Sequence, residues 1–298
     1  MNRIKLPALL WIALALSGCQ RLFFLPSEDH YWDPADAGLI YEDVHFEAAD
    51  GTRLHGWFLP ARTEEAHGSV IFLHGNAQNI STHVVAVWWL PREGFNVFLF
   101  DYRGFGHSEG RATFEGVHLD ADAAMRTALE MEGVDAERLI VFGQSLGATI
   151  AITATALWEG DAPAGLIAES PFASYRGITR EKLGGFFLTW PFQYPLSWLV
   201  SDDYAPLDHV GEIAPLPLLL IVAEDDRTIP PHHGEVLYDA AEDPRYLWRI
   251  EGARHNLPLA DPRVRQRFAE TLRGWLEGDL DAAREPPDGP WTHRPAWP

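Results

Sequence analysis

The pentapeptide Gly143-Gln144-Ser145-Leu146-Gly147 is the strongest chemical signal in the chain. Before it lies an apolar run, Leu139 to Phe142, that reads as a strand. After it, Leu146 to Trp158 is rich in alanine and isoleucine and reads as a helix. A strand that turns straight into a helix, with glycines on either side of the turn, holds the intervening hydroxyl above the sheet. The helix N-terminus beside it favours developing negative charge. In that setting a serine can attack a carbonyl carbon, which makes Ser145 the candidate nucleophile.

A serine hydroxyl is a weak nucleophile at neutral pH. It needs a base within hydrogen-bond reach, and the base needs an acid that orients it. Where a serine stands on a strand–turn–helix elbow, acid and histidine follow it in that order along the chain. Of the thirteen histidines, His209 falls in an irregular region, and His232 and His233 begin a helix. His255 stands in the loop after the last strand-like run, Tyr246 to Ile250, from where an imidazole can swing over the sheet edge. His255 is therefore the expected base. Glu224, Asp225 and Asp226 all follow the strand-like run Leu218 to Ala223, and Glu169 ends the strand before it. The oxyanion of the reaction needs backbone donors. The N–H of Leu146 is one candidate. The other is the N–H of Asn76, in the loop His74-Gly75-Asn76-Ala77 after the run Ser69 to Leu73.

The elements around these residues alternate. Val44 to Ala48 and Leu54 to Leu59, separated by Asp50-Gly51, read as an antiparallel hairpin. Ser69 to Leu73 and Asn96 to Phe100 are unbroken apolar runs, as expected of strands buried on both faces, with a helix expected between them at residues 82–92. Helices are expected at Thr113 to Glu132, His232 to Ala241 and Val264 to Trp275, and a further strand at Leu166 to Ala168. A hairpin followed by repeated strand–helix units implies an α/β fold: a mostly parallel sheet with helices on both faces. Residues 172–212 interrupt the rhythm and read as a small helical cap whose aromatic run, 186–198, packs down. Residues 279–298 read as a disordered tail.

At this point the chain resembles the α/β-hydrolases, in particular the BEM-forty-six and serine-aminopeptidase-like group. The match is carried in order by His74-Gly75-Asn76-Ala77, Asp101-Tyr102-Arg103-Gly104-Phe105-Gly106-His107-Ser108, the Ser145 elbow, Asp226 and His255, over residues 40 to 277. The resemblance selects Asp226, four residues before Pro230, as the orienting acid, with Asp225 and Glu169 as alternatives. It treats the Asp101–Ser108 segment as structural. Ala148 departs mildly from the group, in which a second glycine is common at that place. The implied activity is serine-dependent hydrolysis of an ester or thioester. A peptidase or an acyltransferase on the same scaffold, or an inactive envelope interaction protein, are the alternatives, because one fold hosts several reactions.

The chain has 298 residues, 47% hydrophobic, with a formal net charge of −20, which disfavours nucleic acid and other polyanionic partners. Its single cysteine, Cys19, rules out an internal disulfide. Arg3 and Lys5, the apolar run Leu6 to Leu16 and the small residues Ser17 and Gly18 make a secretory signal over residues 1–18. Leu16-Ser17-Gly18-Cys19 resembles a bacterial lipobox. That resemblance implies a lipid on Cys19, with residues 19–39 as a tether ahead of the hydrolase domain at 40–278. Gln20 favours the periplasmic side of the outer membrane over the inner membrane. No cofactor is expected. Metal is not expected either: His232-His233 has no His-Glu-x-x-His pattern around it. The glycines at 104, 106 and 110 are misplaced for a dinucleotide loop.

Overall fold

The computed structural model describes residues 23–291, so Cys19 and the segment before it lie outside the described residues. An eight-stranded sheet forms the centre. Its strands are β1 (Glu42–Glu47), β2 (Arg53–Leu59), β3 (Gly68–Leu73), β4 (Phe95–Asp101), β5 (Leu139–Gln144), β6 (Gly165–Glu169), β7 (Leu218–Ala223) and β8 (Arg245–Ile250). Their spatial order is β8-β7-β6-β5-β3-β4-β2-β1. The pairs β1–β2 and β2–β4 are antiparallel, and the remaining neighbours are parallel. Gly51, with φ of 82°, makes the β1–β2 turn that a side chain would strain. Strands β3 to β7 are buried throughout, which is why their sequences are unbroken apolar runs rather than alternating ones.

Five longer helices cover the sheet: α1 (Phe114–Glu130), α2 (Leu146–Ala156), α3 (Tyr175–Gly184), α4 (His232–Ala240) and α5 (Pro262–Leu276). Thr113 caps α1 by accepting from the Gly116 N–H at 3.0 Å, and Ser174 caps α3 by accepting from Gly177 at 2.8 Å. One core layer joins Phe100, Val117, Ala151 and Leu237 on the α1–α2–α4 side. The other joins Phe72, Trp89, Phe142 and Phe268 on the α5 side.

Three expectations differ from the structure. The helix expected at 82–92 is only Ile80–His83, followed by 3-10 turns at Val84–Ala86 and Leu90–Glu93. Pro91 lacks an N–H and would meet the carbonyl four residues back, and the valines at 84, 85 and 87 are stiff in helices. The aromatic run of the cap does not pack down: Phe187 is 76% exposed and Trp198 67%. The tail from Asp279 does not leave the fold before residue 291. Ala283 is buried and its carbonyl accepts from Trp248 Nε1 at 2.8 Å, while Arg267 donates to the Glu285 carbonyl at 2.9 Å. Among the described residues, no helix is long and apolar enough to cross a membrane.

Candidate active site

Strands β3, β5, β6 and β7 run parallel and end together at one edge, and the strand order reverses around β3. Ligands of open α/β sheets bind at such a point, because loops leaving in opposite directions open a crevice. Ser145 stands there, between β5 and α2, with φ of 58° and ψ of −120°, a strained conformation for a residue with a side chain. The glycines around it have steric reasons. A Cβ at Gly143 would fall 2.4 Å from the Gly147 carbonyl oxygen, and one at Gly147 would fall 2.0 Å from the Leu73 carbonyl oxygen. Both contacts are with backbone, which cannot step aside. Ala148 is fully buried, so the methyl that replaces a hydrogen there is accommodated.

Ser145 Oγ lies 2.9 Å from His255 Nε2. His255 Nδ1 lies 2.6 Å from Asp226 Oδ2. The other oxygen of Asp226 accepts from the N–H groups of Thr228 and Ile229 at 2.7 and 2.8 Å. Burial opposes the charged form of Asp226. The hydrogen bond and charge of His255 and the two backbone donors outweigh it and hold the carboxyl below its ordinary value. Of the carboxylates left open by sequence, Asp226 is the one that meets the imidazole, and Asp225 is exposed on the same turn. The His255 loop is held from two sides. Asp225 N–H donates to the Ala253 carbonyl at 2.9 Å. Trp291 donates to the Glu251 carbonyl through its backbone and to the Leu257 carbonyl through Nε1, at 2.8 and 3.1 Å. That support comes from the tail expected to be disordered.

Glu169 lies beneath the elbow instead of beside the imidazole. It is fully buried, its carbonyl accepts from Ser145 N–H at 2.8 Å, and its Oε2 accepts from Gln144 Nε2 at 3.1 Å. Burial pushes its carboxyl up to about 7, against an ordinary 4.5, with the Gln144 bond opposing and the Asp226 charge adding. Between those values the folded chain keeps a proton that the unfolded chain has lost, so stability falls as pH rises across that window. Glu169→Gln is neutral at every pH and can still accept from Gln144. It is expected to melt above the wild type at pH 8 and close to it at pH 5 in paired calorimetric scans. An equal difference at both pH values would show that Glu169 is not protonated by burial.

Leu146 opens α2, so its N–H is one of the first-turn donors without an acceptor inside the helix. Asn76 borders the same pocket. Its loop is tied down by a short parallel pairing of Leu25–Pro26 with Ala77–Gln78, and by Leu25 N–H donating to the Asn76 carbonyl at 2.8 Å. This bracing by the lead-in was not readable from its irregular sequence. Next to Asn76, His74 is fully buried and bonded through Nδ1 to the Gly75 carbonyl at 2.7 Å. Burial pulls its pKa down to about 4, so it is a neutral structural residue. A pocket of about 300 Å³ opens from Ser145, walled by Phe23, Phe172, Ile178, Leu183 and Ile229. Among the described residues, none that lines it is acidic, and Lys182 is the one charged side chain there.

A family model described as serine aminopeptidase, S33, matches residues 64–201. The Escherichia coli (strain K12) protein YfhR is 34% identical over 263 residues, covering 84% of this chain and 88% of YfhR. The Arabidopsis thaliana protein WAV2, described as an alpha/beta hydrolase domain-containing protein, is 30% identical over 243 residues, covering 77% of this chain and 78% of WAV2. An esterase of Pyrococcus furiosus shares the fold with a TM-score of 0.67 at 23% identity, over 86% of this chain and 98% of the esterase. The strand order, the strained serine at the end of β5 and the similarity to WAV2 over 77% of this chain converge, and the chain belongs to the α/β-hydrolase family.

Proposed function

We propose that the protein is a membrane-tethered serine hydrolase that cleaves an ester or thioester through an acyl-enzyme. The observation that carries this reading is the continuous hydrogen-bonded line Ser145–His255–Asp226, whose serine borders an apolar pocket. Ser145 Oγ attacks the substrate carbonyl carbon, and His255 Nε2 takes its proton. Asp226 holds the proton on Nδ1 and stabilises the imidazolium that results. The N–H groups of Leu146 and Asn76 receive the oxyanion. The tetrahedral adduct collapses as His255 returns the proton to the leaving alcohol or thiol. Water, activated by the same imidazole, then releases the acid.

The apolar walls select an acyl chain. Each methylene that leaves water contributes about 0.8 kcal/mol, or about fourfold in kcat/KM. Across a series of p-nitrophenyl esters, kcat/KM is expected to climb by about that factor per methylene until the pocket is full and then level off. Acyl-peptides of matched size are expected to react far more slowly. A flat ester series, or faster peptide cleavage, overturns the ester reading.

The tether rests on the Cys19 lipobox resemblance, and the geometry supports it. Phe23 lines the pocket, and four residues of chain span at most about 14 Å. A lipid on Cys19 would thus enter the bilayer within that distance of the pocket wall. The exposed Phe187, Trp190 and Trp198 belong to the same cap as pocket residues Ile178 and Leu183. Aromatic rings at this level suit a membrane interface. Cys19→Ser is expected to move the protein from the membrane to the soluble fraction. Retention in the membrane fraction would mean that lipidation does not hold it there.

A further inference from the structure

Away from the serine, at the far side of the oxyanion loop, three histidines from separate parts of the chain converge. They are His30 of the lead-in, His55 of β2 and His107 of the loop after β4. One ring nitrogen from each lies within 4.8 Å of the others. The carboxylate of Asp101, at the end of β4, stands against them: its Oδ2 is 3.8 Å from His30 Nε2 and 4.0 Å from His55 Nδ1. We propose that His30, His55, His107 and Asp101 form a binding site for a zinc-class divalent cation, which fastens the N-terminal lead-in to the sheet.

Several of these side-chain atoms make no hydrogen bond. His55 is 1% exposed, and its Nε2 is 2.8 Å from Asp43 Oδ1, which also accepts from Trp57 Nε1 at 3.1 Å. In the neutral ring a carboxylate acceptor holds the proton on Nε2 and leaves Nδ1 with its lone pair, the arrangement in which a ligating histidine is held by an outer carboxylate. That Nδ1 is buried with no hydrogen-bond partner. Asp101 is fully buried. Its Oδ1 accepts from Ile80 N–H at 2.8 Å, while Oδ2 and His30 Nε2 face each other at ion-pair distance and neither makes a hydrogen bond. Three orphaned polar atoms pointing into one place require an explanation, because buried polar atoms are ordinarily satisfied. The 3.8 and 4.0 Å gaps are too long for a proton to bridge.

The loop bearing His107 is shaped around the same spot. Gly106 has φ of 48°, and a Cβ there would fall 2.0 Å from Asp101 Oδ2 and 3.2 Å from His30 Nε2. Only glycine lets the backbone lie so close. The His107 ring stacks on His30 with centroids 3.9 Å apart. Three imidazoles and one carboxylate suit zinc in tetrahedral coordination, with bonds of about 2.0–2.2 Å and ligand atoms roughly 3.3 Å apart. The set must contract modestly to reach that spacing. His30 and His107, half-buried and exposed on loops, are free to make the movement. In the other histidine cluster, Glu181 with His232 and His233, His232 Nε2 is 3.0 Å from Glu181 Oε1, His233 Nε2 is 3.4 Å from Glu181 Oε2, and His233 Nδ1 already accepts from Ala173 N–H. The ligands at 30, 55, 101 and 107 have no fixed local spacing, so no sequence pattern announces them.

The test uses the full chain in detergent, stripped with a chelator and titrated with Zn²⁺ against a competing chromophoric chelator. Metal is counted by mass spectrometry and melting followed by circular dichroism. One Zn²⁺ per chain is expected, with Tm raised by about 5–10 °C at a hundredfold excess over Kd. His30→Ala and His107→Ala are each expected to weaken binding at least tenfold, and Asp43→Asn about tenfold. His232→Ala should leave it unchanged. Fluorophosphonate labelling of Ser145 reports separately that each variant is folded. Absence of stoichiometric zinc in protein that still labels, or unaltered affinity in His30→Ala and His107→Ala, overturns the site. Zinc bound to protein that never labels would sink the hydrolase reading and leave this one standing.

Discussion

Ser145→Ala is expected to lower kcat by about a million-fold and to abolish fluorophosphonate labelling, with His255→Ala losing a similar factor. In the proposed mechanism the two hydrogen-bonded residues act as one device: the hydroxyl becomes reactive when Nε2, 2.9 Å away, takes its proton. The double variant Ser145→Ala/His255→Ala is therefore expected to be no slower than either single one. Residual turnover of about a thousandfold over water should survive from the oxyanion donors and the pocket. Multiplicative losses in the double variant would show that the two residues do not work together. Labelling retained in Ser145→Ala would place the nucleophile elsewhere.

Asp226→Asn is expected to cost about ten-thousand-fold in kcat while leaving the fold and KM near those of the wild type. The amide keeps one oxygen to accept from Thr228 and Ile229, so the loop has no reason to move. What it changes is the proton on the imidazole. A carboxylate 2.6 Å from Nδ1 demands a hydrogen there and leaves Nε2 free to act as base. An amide can turn its NH2 toward Nδ1 instead, which moves the ring hydrogen to Nε2 and disables it. Folding also responds. Asp226 sits below its ordinary pKa in the fold, so it contributes stability above about pH 4 that is lost as pH falls through the lowered value. The asparagine variant should lack that acid-sensitive part in urea titrations from pH 7 downward. A loss of only tenfold in kcat, with Asp225→Asn costing more, would move the acid to the neighbouring residue.

The serine, the histidine and the strand–helix rhythm were legible because each is a local pattern. A buried parallel strand must be continuously apolar, and Gly143 and Gly147 are dictated by backbone passing within a Cβ's reach. The choice of Asp226 over Asp225 was partly legible, through its distance from Pro230. Its physical basis is the turn in which the N–H groups of Thr228 and Ile229 point at one carboxyl, and that is a property of coordinates.

Other features were hidden because their partners lie far away along the chain. Leu25–Pro26 becomes a strand only because Ala77–Gln78 offers it an edge, and the tail stays ordered to Trp291 because the loop carrying His255 supplies carbonyls for it. Pro91 made the failure of the 82–92 helix readable in principle, but its place between two strand-like runs suggested a crossover helix. The exposure of Phe187 and Trp198 depends on how the cap sits on the sheet, which no composition reports. The same holds for His30, His55, Asp101 and His107. Local chemistry wrote the candidate catalytic residues into short motifs, while packing between distant segments assembled their supports, since burial and hydrogen bonding depend on which surfaces meet and periodicity records only one element at a time.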